Sequence, residues 1–199
     1  MQNNILWMIT FLNCLIAFPY TITAQTNIYD VIAKKDTLGE LKVSKLEKGK
    51  NITYGYNIEM KVKLLVSIHM KYTIEATYNE NQLIYASVDN VVNGKPHHSS
   101  DIKWMDTHYI INTKKSKQQT LSEMIAYSGI RLFFDEPVNI QKVFSEYTAL
   151  NGMIKKIQTS TYELTLHNGK KNRYYYNNGE LVKANINSSL IDFDLILRK

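Results

Sequence analysis

Histidine is the first residue type to examine for chemistry in this 199-residue chain, because imidazole serves both metal binding and proton transfer near neutral pH. Of the five histidines, His97, His98 and His108 fall within 12 residues, together with Asp101 and Asp106. That set has the composition of a metal-dependent hydrolase site. Adjacent residues on a strand point to opposite faces, however, so His97 and His98 do not readily share one ion. His69 lies on a polar face between Ser67 and Lys71, and His167 precedes a turn. Neither an HExxH helix nor paired cysteines occur. The expectation is no metal site, with a hydrolase or metal-dependent enzyme using the His97–His108 segment kept as the alternative function.

Nucleophilic and acid–base chemistry have less to work with. There is no Gly-x-Ser-x-Gly elbow, and the single cysteine, Cys14, lies in an apolar stretch near the N-terminus. Asp135-Glu136 stands before Pro137 and reads as the end of a helix, and Asp192 and Asp194 read as the solvated face of a strand. Glycosidase-type catalysis needs two acids about 5–10 Å apart across a cleft, which sequence spacing does not establish. A glycine-rich phosphate loop is absent, so no cofactor is expected and the reading leans away from an enzyme.

Tyrosine is the more informative residue, with 14 copies. Tyr54, Tyr56 and Tyr72 should point inward, and Tyr174 and Tyr176 share one face of a late strand with Tyr175 opposite. Tyrosine joins apolar area to a hydrogen-bonding tip and suits binding grooves. These five residues are the candidate ligand-binding set; plain sheet core is the competing reading.

The elements that must position them follow from one alternation. Every even residue from Ile52 to Tyr78 is apolar or tyrosine, and the odd residues between them are polar or glycine, Leu65 excepted. A period of two gives one apolar and one solvated face, which is antiparallel sheet. Fully extended, these 27 residues would span ~90 Å at ~3.3 Å each, so the chain must fold back. The parity never flips, whereas a two-residue hairpin loop would flip it. The reversal, near Lys61–Leu65, therefore needs an odd loop or a bulge; the alternative is one bent strand serving two sheet regions.

Further strands are expected at 27–34, 38–46, 82–92, 102–104, 108–111, 161–166, 171–176, 181–187 and 190–197, punctuated by Asn93-Gly94, Asn168-Gly169 and Asn178-Gly179. One segment breaks the period: Thr120-Leu121-Ser122-Glu123 reads as a capping box, with Met124, Ile125, Ser128 and Leu132 at helical spacing and Gly129 weakening the helix. The fold class expected is mainly β: a strongly curved antiparallel sheet, a half-barrel or open barrel, wrapped around one short helix, with a closed barrel as the rival.

The N-terminus carries no charge before Asp30, and residues 5–18 are almost wholly apolar. That run is too short to span a bilayer but suits a signal-peptide core, with Thr23-Ala24-Gln25 as the cleavage site. The expected organisation is a signal peptide over 1–24 and a single β-rich domain over 25–199, with no transmembrane span after cleavage. The expected location is the periplasm; a secreted or outer-membrane-associated protein is the alternative. Net charge is +6, carried almost wholly by lysines scattered along the chain, and a nucleic-acid reader would favour arginine gathered on one face. Nucleic acid is not an expected partner.

The chain resembles an uncharacterised family of exported proteins from Gram-negative bacteria, classed as a domain of unknown function. The resemblance runs through Tyr29-Asp30-Val31, Gly39-Glu40-Leu41, Asn81–Ser87 and Val92–Lys95 to Phe134–Pro137, and then through Val143–Glu146, Tyr162–Leu164 and Asn172–Leu181. It implies export and a curved sheet, loosely similar to the half-barrels of envelope lipoprotein carriers, and supplies no active site. The expectation is a non-enzymatic envelope protein whose concave sheet binds a lipid-like apolar or amphipathic ligand, or a partner protein. A structural or assembly factor of the envelope is the further alternative.

Overall fold

The computed structural model of the protein describes residues 22–63, 67–114 and 116–199. The long alternation folds into two strands of one hairpin, β3 (Asn51–Lys63) and β4 (Ser67–Asn79). Tyr54 pairs with Ala76, Ile58 with Tyr72, Met60 with Met70 and Val62 with Ile68, so even residues face even residues throughout. Pairing of Lys63 with Ser67 leaves an odd number of positions between the strands, as this parity requires. Tyr54, Ile58, Met60, Val62, Ile74, Ala76 and Tyr78 are buried, while Asn57, Glu59, Lys61, Lys71, Thr73 and Glu75 across the pleat are exposed. One face is core and the other meets solvent.

Twelve more strands extend this hairpin on both sides. Before it run β1 (Ile22–Ala33) and β2 (Asp36–Lys48). After it come β5 (Gln82–Val92), β6 (Lys95–Trp104), β7 (Tyr109–Thr113) and β8 (Ser116–Leu121). The second half holds β9 (Lys142–Ser145), β10 (Leu150–Gln158), β11 (Thr161–Thr165), β12 (Lys171–Asn177), β13 (Glu180–Ile186) and β14 (Phe193–Leu197). They form one antiparallel sheet of 14 strands in the order β8-β7-β6-β5-β4-β3-β2-β1-β14-β13-β12-β11-β10-β9. Two meanders are thus sewn together by β1 and β14, where Tyr29 pairs with Leu197 and Val31 with Leu195. The sheet is open, ending in β8 and β9. Register shifts in six of the strand pairs, including those at Val31/Ile32, Thr77/Tyr78 and Asn90/Val91, increase local twist and help it curl.

The turns carry the expected chemistry. Asn93-Gly94 and Asn178-Gly179 adopt positive φ at both residues, as a type I′ hairpin demands. Lys34-Lys35 makes the same turn between Ala33 and Asp36 without the favoured residues. Gly39 is needed for space rather than for its dihedral angles. A Cβ built on it would lie 2.0 Å from the Glu59 carbonyl oxygen, so β2 approaches β3 there closer than any side chain permits. Gly39→Ala is expected to force backbone apart and cost about 1–3 kcal/mol, read as a lower urea midpoint; an unchanged midpoint would contradict this packing.

The expected short helix shrinks to a five-residue 3-10 turn, Gly129–Phe133. Thr120-Leu121 do not cap a helix; they end β8. The reason lies in where the backbone groups find partners. Ile125 accepts from the Leu83 amide and donates to the Tyr109 hydroxyl, and the Tyr127 carbonyl accepts from the Phe144 amide. Each of these tertiary bonds replaces an intrahelical one, and Ser128 is extended (φ −128°, ψ 173°). The turn then drives Leu132 and Phe133 into one apolar cluster of the concave face and Ile130 into the other. The sheet therefore wraps around a plug rather than a helix.

Of the expected signal peptide, residues 1–21 lie outside the described residues, while Ile22–Ala24 begin β1 and pair with Lys48–Leu46. Among the described residues no helix is long and apolar enough to cross a membrane.

Candidate aromatic site on the concave face

The plug is held by polar groups that the surrounding strands aim inward. Glu146, on the turn between β9 and β10, accepts hydrogen bonds from the Ser128 hydroxyl (2.6 Å) and the Ile130 amide (3.1 Å), and Tyr78 donates to the same Ser128 oxygen at 2.7 Å. Tyr176 donates to the Leu132 carbonyl at 2.7 Å, Tyr162 to Glu136 at 2.9 Å and Tyr127 to the Asp135 carbonyl. Arg131 binds Asp135 at 2.9 Å while its guanidinium lies over the rings of Tyr78 and Tyr127.

All five tyrosines expected to face a ligand lie in the two concave clusters or against them, with two different fates. Tyr54, Tyr174 and Tyr176 are buried: Tyr54 packs on Tyr78 and Phe134, and Tyr176 packs edge-on against Tyr162. Burial pushes the hydroxyls of Tyr54 and Tyr174 up to about 12. Tyr56 and Tyr72 are only half-buried, and they belong to a continuous aromatic row. Its centroid separations are 5.4 Å from Phe133 to Tyr56, 5.4 Å from Tyr56 to Tyr72, 5.7 Å from Tyr72 to Tyr147 and 4.1 Å from Tyr147 to His98. Desolvation is the main cause that raises both the Tyr56 and Tyr72 hydroxyls, with the Tyr174 hydroxyl adding to the first and Tyr56, Glu146 and Tyr147 to the second. The Tyr56 and Tyr147 hydroxyls lie within electrostatic reach of Tyr72.

Sequence reasoning missed the far end of this row. Tyr147 arrives from the opposite arm of the sheet, where its carbonyl accepts from His98 Nε2 at 2.8 Å and the Glu146 carbonyl accepts from Ser100 at 2.6 Å. Asn90 completes that end, opposite Tyr72 on one side and His98 on the other. The available signal was a polar residue at an inward position of β5, in register with Ala86 and Val88.

The residues considered for other chemistry disperse. His98 is buried and His97 exposed, as their opposite faces require, while His108 bonds Thr107 beside a turn at Asp106. Asp135 and Glu136 serve Arg131 and Tyr162, and Asp194 binds Lys183 at 2.9 Å. A separate cleft of about 320 Å³ opens where the sheet ends, between residues 121–127 and β9, with exposed Met124 on its wall.

A family profile described as a domain of unknown function (DUF6134) matches residues 29–198. The fold is similar to the crystal structure of a beta-barrel-like protein of domain of unknown function DUF1849 from Brucella abortus. The TM-score is 0.54 at 11% identity, covering 87% of this chain and 95% of that one. At that identity the likeness is one of fold. The chain matches none of the curated proteins.

Proposed function

We propose a function from the premise that this chain belongs to the DUF6134 family of domains of unknown function: it is a non-enzymatic binding protein of the cell envelope, holding an apolar or amphipathic ligand, or the apolar face of a partner, on its concave sheet. The observation that carries the reading is the contrast within the tyrosine set. Tyr54, Tyr174 and Tyr176 are buried in core packing, whereas Tyr56 and Tyr72 are only half-buried and stand side by side in the aromatic row. Recessed aromatic surface with a few polar groups is the usual make-up of a small-molecule site. Export by the signal peptide over 1–24 and residence in the periplasm belong to the same proposal, supported by the uncharged apolar run at residues 5–18.

Native mass spectrometry of protein recovered without detergent from the envelope fraction tests this, followed by titration with a fluorescent acyl probe. The expected result is a chain beginning at Gln25 that carries a lipid-sized adduct and binds the probe, with about tenfold weaker binding for each of Tyr56→Ala and Tyr72→Ala. A ligand-free protein that ignores the probe would overturn the lipid reading. The same spectra weigh a second reading, assembly through the open sheet ends, which the cleft beside Met124 favours: it would appear as a dimer or partner-bound mass in place of the adduct.

A further inference from the structure

We infer that the aromatic row ends in a seat for the uncharged, hydroxyl- or amide-bearing head of an amphipathic ligand, with Asn90 as its deepest hydrogen-bonding group. This rests on the ligand-binding reading above and specifies its chemistry.

Buried polar groups in folded proteins nearly always have partners, so one without a protein partner has hydrogen-bonding capacity to offer a group from outside. Asn90 is 9% exposed, and its Oδ1 is enclosed without a hydrogen bond. Its cross-strand neighbours are Tyr72 and His98, and directly opposed side chains have Cβ atoms about 4.5–5.5 Å apart. A carbonyl only accepts, so His98 Nε2 donates to Tyr147 and is already engaged. Among the described residues the hydroxyls of Tyr56, Tyr72 and Tyr147 make no hydrogen bond to the protein. The row thus offers one enclosed acceptor at its end and three hydroxyls along it, which can donate or accept. A glycerol, sugar or amide group satisfies that mixture.

An anionic head does not suit it. Arg131 is committed to Asp135 and two aromatic rings, and Lys71 pairs with Glu59 across the outer face. Neither cation is thereby left to accompany an anion into this low-polarity end.

Titrating the mature protein with glycerol monolaurate and with laurate, at a pH where laurate is ionised, compares one chain with two heads. The uncharged ester should bind about tenfold more tightly. Asn90→Leu should lower ester affinity about tenfold and leave laurate unchanged. Tyr72→Phe, which keeps the ring and removes one hydroxyl, should lower it about threefold and serves if the Asn90 variant does not fold. Equal binding of the two lipids, or ester affinity indifferent to both variants, overturns the head-group assignment while leaving the concave ligand site standing. Binding of neither lipid overturns both.

Discussion

Glu146→Ala should be the most damaging single substitution in the interior. The carboxylate is 2% exposed and receives the Ser128 hydroxyl and the Ile130 amide, the bonds that fix the start of the plug. Removing it strands both donors, at ~1–3 kcal/mol each, and leaves a void, for a total loss of about 3–5 kcal/mol in urea unfolding. Glu146→Gln keeps an acceptor of the same shape and should lose less than half as much. Equal losses for the two variants would show that the carboxyl group itself, not an acceptor of this shape, is what the site requires.

The same residue sets a signed pH dependence. Burial raises the Glu146 carboxyl above its ordinary value, against the opposing pull of the Ser128 hydroxyl and the nearby backbone amides. Between the unfolded and folded pKa values the native protein holds a proton that the unfolded chain has released, so stability falls as pH rises through that window. The stability of the wild type relative to Glu146→Gln should therefore be greatest below the ordinary carboxylate range and shrink as the pH passes the raised value. A difference that grows with pH would contradict the buried, desolvated placement.

Phe133→Ala is the second large effect. The ring meets Tyr29 edge-on at 5.7 Å and Tyr56 at 5.4 Å, anchoring the plug to β1 and β3. Its loss should cost about 3–5 kcal/mol, with Phe133→Leu recovering more than half. Calorimetry showing a change below about 1 kcal/mol for the alanine variant would mean that the turn is a loosely held cover rather than part of the core.

How much of this was legible in the chain depends on distance along it. The β3–β4 hairpin was readable because period two is local, and its odd connection followed from parity alone. The Asn-Gly turns were readable because positive φ selects their residues. β8 was not, since Ser-Lys-Gln-Gln-Thr-Leu alternates nothing; neither was β10, whose inward positions offer only Gly152 and Ile154 as buried residues. The helix expected around Met124 failed because its backbone partners, Leu83, Tyr109 and Phe144, come from strands that local pattern does not reveal. The site divided in the same way: the tyrosine faces were visible from parity, while Tyr147 meets His98 from 49 residues away, through the curl of the whole sheet.

The seam between β1 and β14 bears on how this protein folds. Every other pairing joins strands adjacent in sequence, so each arm can zip up through short loops at modest entropic cost. The seam alone closes a loop of nearly the full chain, clasped by Arg198, which reaches Asp30 and, at 3.1 Å, Glu40. Two meanders can mature separately during synthesis, and the pairing of β1 with β14 makes them a single sheet.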